Sequence, residues 1–505
     1  MNNTAPFGRG SVWKLAFWLV SAGSILSQPD SIRIRVLDEH GRPAVTRIVI
    51  RDSSGAARRV DSPETPAPTV VHPRFPELGI VMRDSVRIVR PSGSARLGVE
   101  RGPEYLSEYV DIGAAGPSQH TVKLRRWISM ARDGWWSGDT HVHRVPAEMP
   151  LLMDAADLHF APTITRWNSN RSVDDWPPTP FYAAGPDRWY SIDNSEDERD
   201  WGAALFLGLK TPIDLYPAKA QYPLPEATWR AAREHGAFID QEKVIWWAAP
   251  VMAALIPPDA IGVALNHFVE EKVEAYEAWG RPRDQAKYRG PQGFTQYIFD
   301  LYSLYLSAGF RVPASAGSAN GVMRNPIGYN RSYVHLGNKF TPESWLEGQK
   351  AGRNFVTNGP MLFATVNGKL PGSIHKPGKV EVKVSVQSSA ELEKAEVVVD
   401  GVVAASFAPS SNRSRMEASA PVVLSEGSWL TVRVWERNPK TVRFAHTSPF
   451  YAGAAAKRDP KALAFFREWI DLFIERIKAF PDSQITSAQR EEYLALCRKA
   501  LERYR

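Results

Sequence analysis

The sequence predicts a multidomain chain of α/β plus all-β class: a distorted α/β barrel flanked by two β-sandwich domains, with a C-terminal helical tail. Three observations predict it. First, 505 residues exceed what one hydrophobic core organises, so roughly two to four domains are expected. Second, residues 127–376 alternate short apolar runs with stretches of helical periodicity. Third, residues 28–126 and 377–454 alternate with period two and are punctuated by Gly, Pro and Ser, the pattern of half-buried strands joined by turns.

Residues 1–27 read as an export signal. Arg9 and Lys14 give a positive start, residues 15–26 a short apolar run, and Gly23 and Ser27 small residues for cleavage. No later stretch is apolar enough to span a bilayer. The expectation is a mature protein without a stable membrane span, exported to the periplasm or secreted. In residues 28–126, Ile32, Ile34 and Val36 alternate with Arg33 and Arg35, and Asp38 to Pro43 is a turn signal. Several such short strands suggest a sandwich. In residues 127–376 the expected strands are 137–143, 160–165, 203–209, 237–239, 261–266, 312–316 and 332–336. Helices are expected at 149–158, 225–235 and 292–308, with a further one opening at Thr341-Pro342 as N-cap and N1 proline. The acid-rich run 193–200 reads as a solvated loop. Residues 377–454 return to strands, with Asp400-Gly401 as a hairpin turn. In residues 455–505, Asp459-Pro460 opens one helix and Thr486-x-x-Gln489 is a capping box for another.

Composition narrows the function. Cys497 is the single cysteine, so an internal disulfide and a Cys-rich zinc site are excluded. The net charge of +7 is spread along the chain without a Lys/Arg block, which argues against nucleic acid as a partner. A small-molecule or glycan substrate is the expectation. There is no Gly-x-Ser-x-Gly elbow, no phosphate-binding Gly-x4-Gly-Lys-Ser/Thr loop and no His-Glu-x-x-His.

The chemistry centres on Trp135-Trp136-Ser137-Gly138-Asp139-Thr140-His141-Val142-His143. On a strand, residues i and i+2 share a face, so His141 and His143 point into one cavity, as a metal ion requires. Chance alone yields such a pair now and then among eleven histidines, so the flanking residues carry the weight. Asp139 is placed to orient a ligand or to bind a second ion.

Gly138-Asp139-Thr140-His141-Val142-His143 resembles the opening metal-site strand of the PHP (polymerase and histidinol phosphatase) superfamily, and more closely that of the CehA/McbA-type metallohydrolases. The resemblance extends to Gly352-Arg353-Asn354-Phe355-Val356-Thr357-Asn358-Gly359-Pro360 and to Val366-Asn367-Gly368. It implies a distorted (β/α)7 barrel, up to three divalent ions (zinc, manganese or iron) and hydrolysis by metal-activated water.

Two departures limit what carries over. Thr165-Arg166-Trp167-Asn168 stands where the family has Thr-Asp-His-Asn, and a guanidinium does not bind a metal. Gly317-Ser318-Ala319-Asn320-Gly321 stands where it has Gly-Ser-Asp-x-His. A three-metal site is therefore not expected. Glu242 and His267 follow their strands on the rim of His141 and His143 and are the expected co-ligands of one ion; their ordinary alternatives are a salt bridge with Lys243 and a buried, satisfied histidine. His159 is a weaker ligand candidate, because it begins its strand on the opposite rim. Asp139 and Asp157 are the candidate catalytic carboxylates. Arg166, Arg331 and Arg353 are candidates for orienting an anionic group, with ion pairs as the ordinary alternative. Trp167, Asn168, Tyr329 and Asn358 complete the candidate substrate-binding set, and Trp246 and Trp247 offer stacking surfaces. The leading expectation is an exported metal-dependent hydrolase acting on an ester, amide or phosphoester. The alternative is a catalytically degenerate barrel that serves as an extracellular ligand- or glycan-binding module.

Overall fold

The computed structural model describes residues 30–64, 69–173, 175–218, 221–275 and 280–505. The expected export signal lies outside the described residues. Among the described residues, no helix is long and apolar enough to cross a membrane.

The N-terminal part is two sheets face to face. Ser31–Leu37 runs between Gln119–Lys123 and Ser85–Val89, and Val45–Asp52 lies between Ile80–Arg83 and Ala95–Glu100. Alternation places Ile32, Ile34 and Val36 on the inner face, against Ile48, Ile50, Leu97 and Val99 of the second sheet.

The central part is built on β1 (Trp135–Gly138), β2 (Phe160–Trp167), β3 (Arg188–Arg199), β4 (Gly202–Leu207), β5 (Phe238–Gln241), β6 (Ala260–Ala264) and β7 (Ala314–Ala316). Consecutive strands pair in this order: β1–β2, β2–β3, β5–β6 and β6–β7 parallel, β3–β4 and β4–β5 antiparallel. The order then returns on itself beyond the end of β1. Thr140 N–H donates to Ala316 O at 3.1 Å and His143 N–H to Asn320 O at 2.7 Å, while on the other side Ile164 N–H donates to Val142 O at 2.8 Å. Helices α1 (Met149–Ala155), α2 (Pro225–Glu234), α3 (Ala249–Leu255) and α4 (Gly290–Ser307) fall between the strands.

The alternation expected from sequence is irregular in two places. Among the described residues, no helix separates β2 from β3 or β3 from β4, and β4 runs against its neighbours. Strand β3 also corrects the sequence reading, because the 193–200 run is no solvated loop. Its polar residues are buried from Ser191 through Asp197, paired on both edges. Hydropathy alone assigns such a run to solvent; here Asp197 pairs with Arg199 and Glu196 lies against two histidines, while Asp193 Oδ1 is buried without a hydrogen-bond partner.

A further strand, β8 (Arg331–His335), lies antiparallel on β1 and not within the returning order. It continues through Asn354–Thr357 to Phe444–Thr447, so hydrogen bonding runs unbroken from the central strands into the C-terminal sheet. There, Val380, Val382, Val384 and Val386 of Gly378–Gln387 pack against Val397, Leu430, Val432 and Val434. The Asp400-Gly401 turn has φ of 48° and 84°, the left-handed pair that a two-residue hairpin requires.

Helix α5 (Pro342–Lys350) starts at Thr341, whose hydroxyl accepts from Ser344 N–H at 3.1 Å. The tail forms α6 (Pro460–Lys478) and α7 (Ser487–Arg503), with the Thr486–Gln489 capping box intact. Phe466, Trp469, Ile470 and Phe473 of α6 enter the same core as Trp201, Trp246 and Trp247. Trp247 stacks on Phe473 at 6.4 Å, so Trp246 and Trp247 are packing residues under the tail and not a ligand floor.

Candidate metal centre

His141 and His143 lie on the extended segment that follows β1 and closes the strand order. Val142 between them bridges to Thr163 on one side and Asn320 on the other, which fixes both imidazoles on one side of the segment. Two glycines allow the close approach behind them. A Cβ on Gly317 would sit 2.5 Å from His141 Cβ, and one on Gly321 (φ +105°) would sit 2.0 Å from His143 O. On β2, Trp167 is in register with Glu196 of β3, which carries that carboxylate to the same place.

The result is a buried group of His141, His143 and Glu196, whose ligand atoms lie within 4.8 Å of one another and could hold a metal ion. His141 Nε2 is 2.9 Å from His143 Nε2 and 3.5 Å from Glu196 Oε2, and His143 Nε2 is 3.0 Å from the same oxygen. Three ligands held at about 2.0–2.2 Å in tetrahedral geometry are about 3.3–3.5 Å apart, close to this spacing. Glu196 Oε2 is buried yet accepts no well-directed hydrogen bond. The three atoms crowd one point, where the two imidazole Nε2 atoms also lie within hydrogen-bond distance of each other, and the donor set is of the kind that holds a divalent ion.

Glu242, just after β5, reaches the other nitrogen: its Oε1 is 3.3 Å from His141 Nδ1. It is held by the Lys243 ammonium and by Asn266 Nδ2 at 3.0 Å. A carboxylate on Nδ1 fixes the tautomer and leaves Nε2 for an ion. Below this layer, Asp240 accepts from Thr140 Oγ1 at 2.9 Å and Ser315 Oγ at 2.6 Å.

The electrostatics are those of a site that wants a cation. Burial pulls the His141 imidazolium down, but Glu196 and Glu242 outweigh it and lift His141 to about 10. Burial would raise Glu196, yet the two histidines hold it at about 2. His143 is lowered, by burial first and by His141 as well. Glu198, two residues on from Glu196 and on the same face of β3, is pushed up to about 7 by burial and by the charges of Glu196 and Glu242. Its Oε2 accepts from Trp167 Nε1–H at 3.0 Å, and the Trp167 ring packs on His143 at 5.0 Å.

The other sequence candidates lie as follows. Asp139 is committed to backbone: Oδ1 accepts from His141 N–H and Ser318 N–H at 3.1 and 3.0 Å, and Oδ2 from Gly328 N–H at 2.7 Å. It ties the segment after β1 to the loops around Ser318 and Gly328. His267 is buried and stacked on Phe294 at 6.4 Å; it follows β6 beside Asn266, outside the group of three. Asp157 lies at the start of β2, on the opposite rim, paired with Arg126 at 2.8 Å and Arg188 at 2.7 Å. His159 shares that rim, with Nδ1 2.9 Å from Ser137 Oγ. Arg166 is packed over the Trp176 ring at 5.3 Å. Asn168 clamps Tyr216 O and Glu198 N–H, and Asn358 clamps Val442 O and Phe444 N–H. Arg331 donates to the carbonyls of Gly328, Asp157 and Ala156, Arg353 is exposed, and Tyr329 OH points to Val269 O at 3.5 Å.

Of the sequence candidates, then, His141, His143, Glu242 and Trp167 meet, and Asp157, Arg331, Arg353 and Asn358 lie elsewhere. Glu196 and Glu198 were missing from that set. Their i, i+2 spacing is the same signal that exposed the histidines, masked by the acidic neighbours Asp197 and Asp200. No protein-family model and no curated protein matches the chain.

Proposed function

We propose that this chain is an exported metal-dependent hydrolase with a PHP-type barrel resembling the CehA/McbA enzymes, acting on an ester, amide or phosphoester. The observation that carries the reading is the convergence of His141 Nε2, His143 Nε2 and Glu196 Oε2 at the C-terminal ends of the parallel strands. A zinc, manganese or iron ion bound there supplies Lewis acidity and a hydrolytic nucleophile at neutral pH. Glu242 would accept a hydrogen bond from His141 Nδ1–H and keep Nε2 turned to the ion, while Lys243 and Asn266 keep Glu242 in place. Glu198, fixed by the Trp167 indole, would be the residue to hold a proton given up by water and to return it to the leaving group.

Metal analysis of the purified full chain tests this. The expectation is about one ion per wild-type chain, lost in Glu196→Gln and in His141→Ala/His143→Ala, with turnover of generic esters or phosphoesters abolished alongside. A wild type that holds no ion and stays inactive with zinc or manganese added removes the reading. That outcome would favour the second one, a ligand-binding module, which rests on the segment after β7. There Ala319 offers no ligand atom, and Asn320 spends its amide nitrogen on Asn325 O at 2.7 Å.

A further inference from the structure

A well-formed cavity lies away from the histidines. It is a cleft of about 170 Å³ where all three β-rich parts of the chain meet. Arg47 and Glu100 come from the N-terminal sandwich, Glu270 and Tyr329 from the central part, and Arg443 from the C-terminal sheet. His141, His143 and Glu196 are not in its lining. One wall is apolar, made by Val81, Leu152 and Ile327, which belong to a single cluster.

The polar wall has four arginines, and three are satisfied. Arg47 is held by Glu100 and by Glu270 at 2.7 Å, Arg144 by Glu148 at 2.8 Å, and Arg331 by three carbonyls. Arg443 differs. Its side chain makes no hydrogen bond or ion pair with any described residue, and its Nε is buried without a partner. Its close contact is with the face of Tyr329, 5.7 Å from the ring centroid, and the carboxylates of Glu436, Glu270 and Glu100 act on it only at longer range. Arginine N–H groups without acceptors are costly in a protein interior, and a guanidinium fork matches a carboxylate bidentately. A second orphan lines the same space: Asn320 Oδ1 is buried and accepts nothing.

We propose that this cleft binds a small carboxylic acid of about benzoate size. Its carboxylate pairs with the Arg443 guanidinium, and its apolar body lies along Val81, Leu152 and Ile327. The size follows from the volume, since a cavity of roughly 150 Å³ accepts benzene. The apolar wall sets the body, and the unpaired guanidinium sets the charge. Inorganic phosphate shares the charge but has no group for the wall.

Calorimetric titration of the full chain tests the proposal with sodium benzoate, benzamide and inorganic phosphate as probes. The expected result is one benzoate per chain, with benzamide binding at least tenfold more weakly because it lacks the charge. Arg443→Met should weaken benzoate at least tenfold. Val81→Phe, which fills the apolar wall and leaves the charge, should do the same and decides the matter where Arg443→Met does not fold. Benzoate binding should persist in His141→Ala/His143→Ala, which separates this site from the metal reading. Absence of saturable benzoate binding, benzamide binding as well as benzoate, phosphate binding more tightly than benzoate, or two folded variants that bind like wild type would each overturn it.

Discussion

Glu242→Gln tests how the candidate centre is organised. Glu242 touches His141 at Nδ1, not at the nitrogen that faces His143 and Glu196, so it acts on an ion through the imidazole. Removing such a partner typically costs 10–100-fold in metal affinity, or about 1.4–2.7 kcal/mol. The substitution has a second effect, because Lys243 and Glu242 are both buried. Leaving the Lys243 ammonium without its carboxylate costs about 3–5 kcal/mol of stability, softened by its position 4.5 Å from the Trp246 ring. The two effects separate in Glu242→Gln/Lys243→Met, which removes the stranded charge. The double variant should recover most of the urea midpoint while still binding zinc 10–100-fold more weakly in competition with a chromophoric chelator. Wild-type affinity in a folded double variant would refute the orienting role; restored affinity would mean that the loss came from stability alone.

Further outcomes follow from other residues. Gly317→Ala places a methyl against His141 Cβ and should lower bound metal per chain with the circular dichroism spectrum unchanged; full metal content would show that the segment yields. Trp469→Ala removes a fully buried ring of α6 and should cost about 3–5 kcal/mol in urea unfolding, a value near zero meaning that the tail is not docked. Burial holds His446 at about 3, below its ordinary 6.5. The neutral form is therefore the folded form, and the stability it lends above pH 6.5 is lost as pH falls toward 3. Relative to His446→Phe, the wild type should lose up to about 1.4 kcal/mol per pH unit below 6.5. Parallel pH profiles would show that His446 titrates normally.

The sequence exposed what short-range patterns encode. Strands β1, β2, β4 to β8 and helices α1, α2 and α4 to α7 follow from period, caps and N1 prolines, since these depend on residues a few positions apart; the short apolar α3 is not among the expected helices. It did not expose β3. A run such as Asp193 to Asp200 has the local character of a loop and becomes a strand because β2 and β4 pair with both its edges. With β3 hidden, Glu196 was hidden too, and Glu242 was assigned the place that Glu196 occupies in the group of three. Arg331 and Asn358 illustrate the opposite error. Both carry groups suited to a ligand, and both are used up on backbone carbonyls and amides that sequence spacing cannot reveal.

The unbroken ladder from β8 through Asn354–Thr357 into Phe444–Thr447 bears on how the protein can be taken apart. A chain ended at residue 376 would keep Asn354–Thr357 but strip one of its edges. The bare N–H and C=O groups left there would be a template for neighbouring molecules to add on. Truncates of the central part should therefore precipitate or pair edge to edge, and recombinant work on either portion has to carry both.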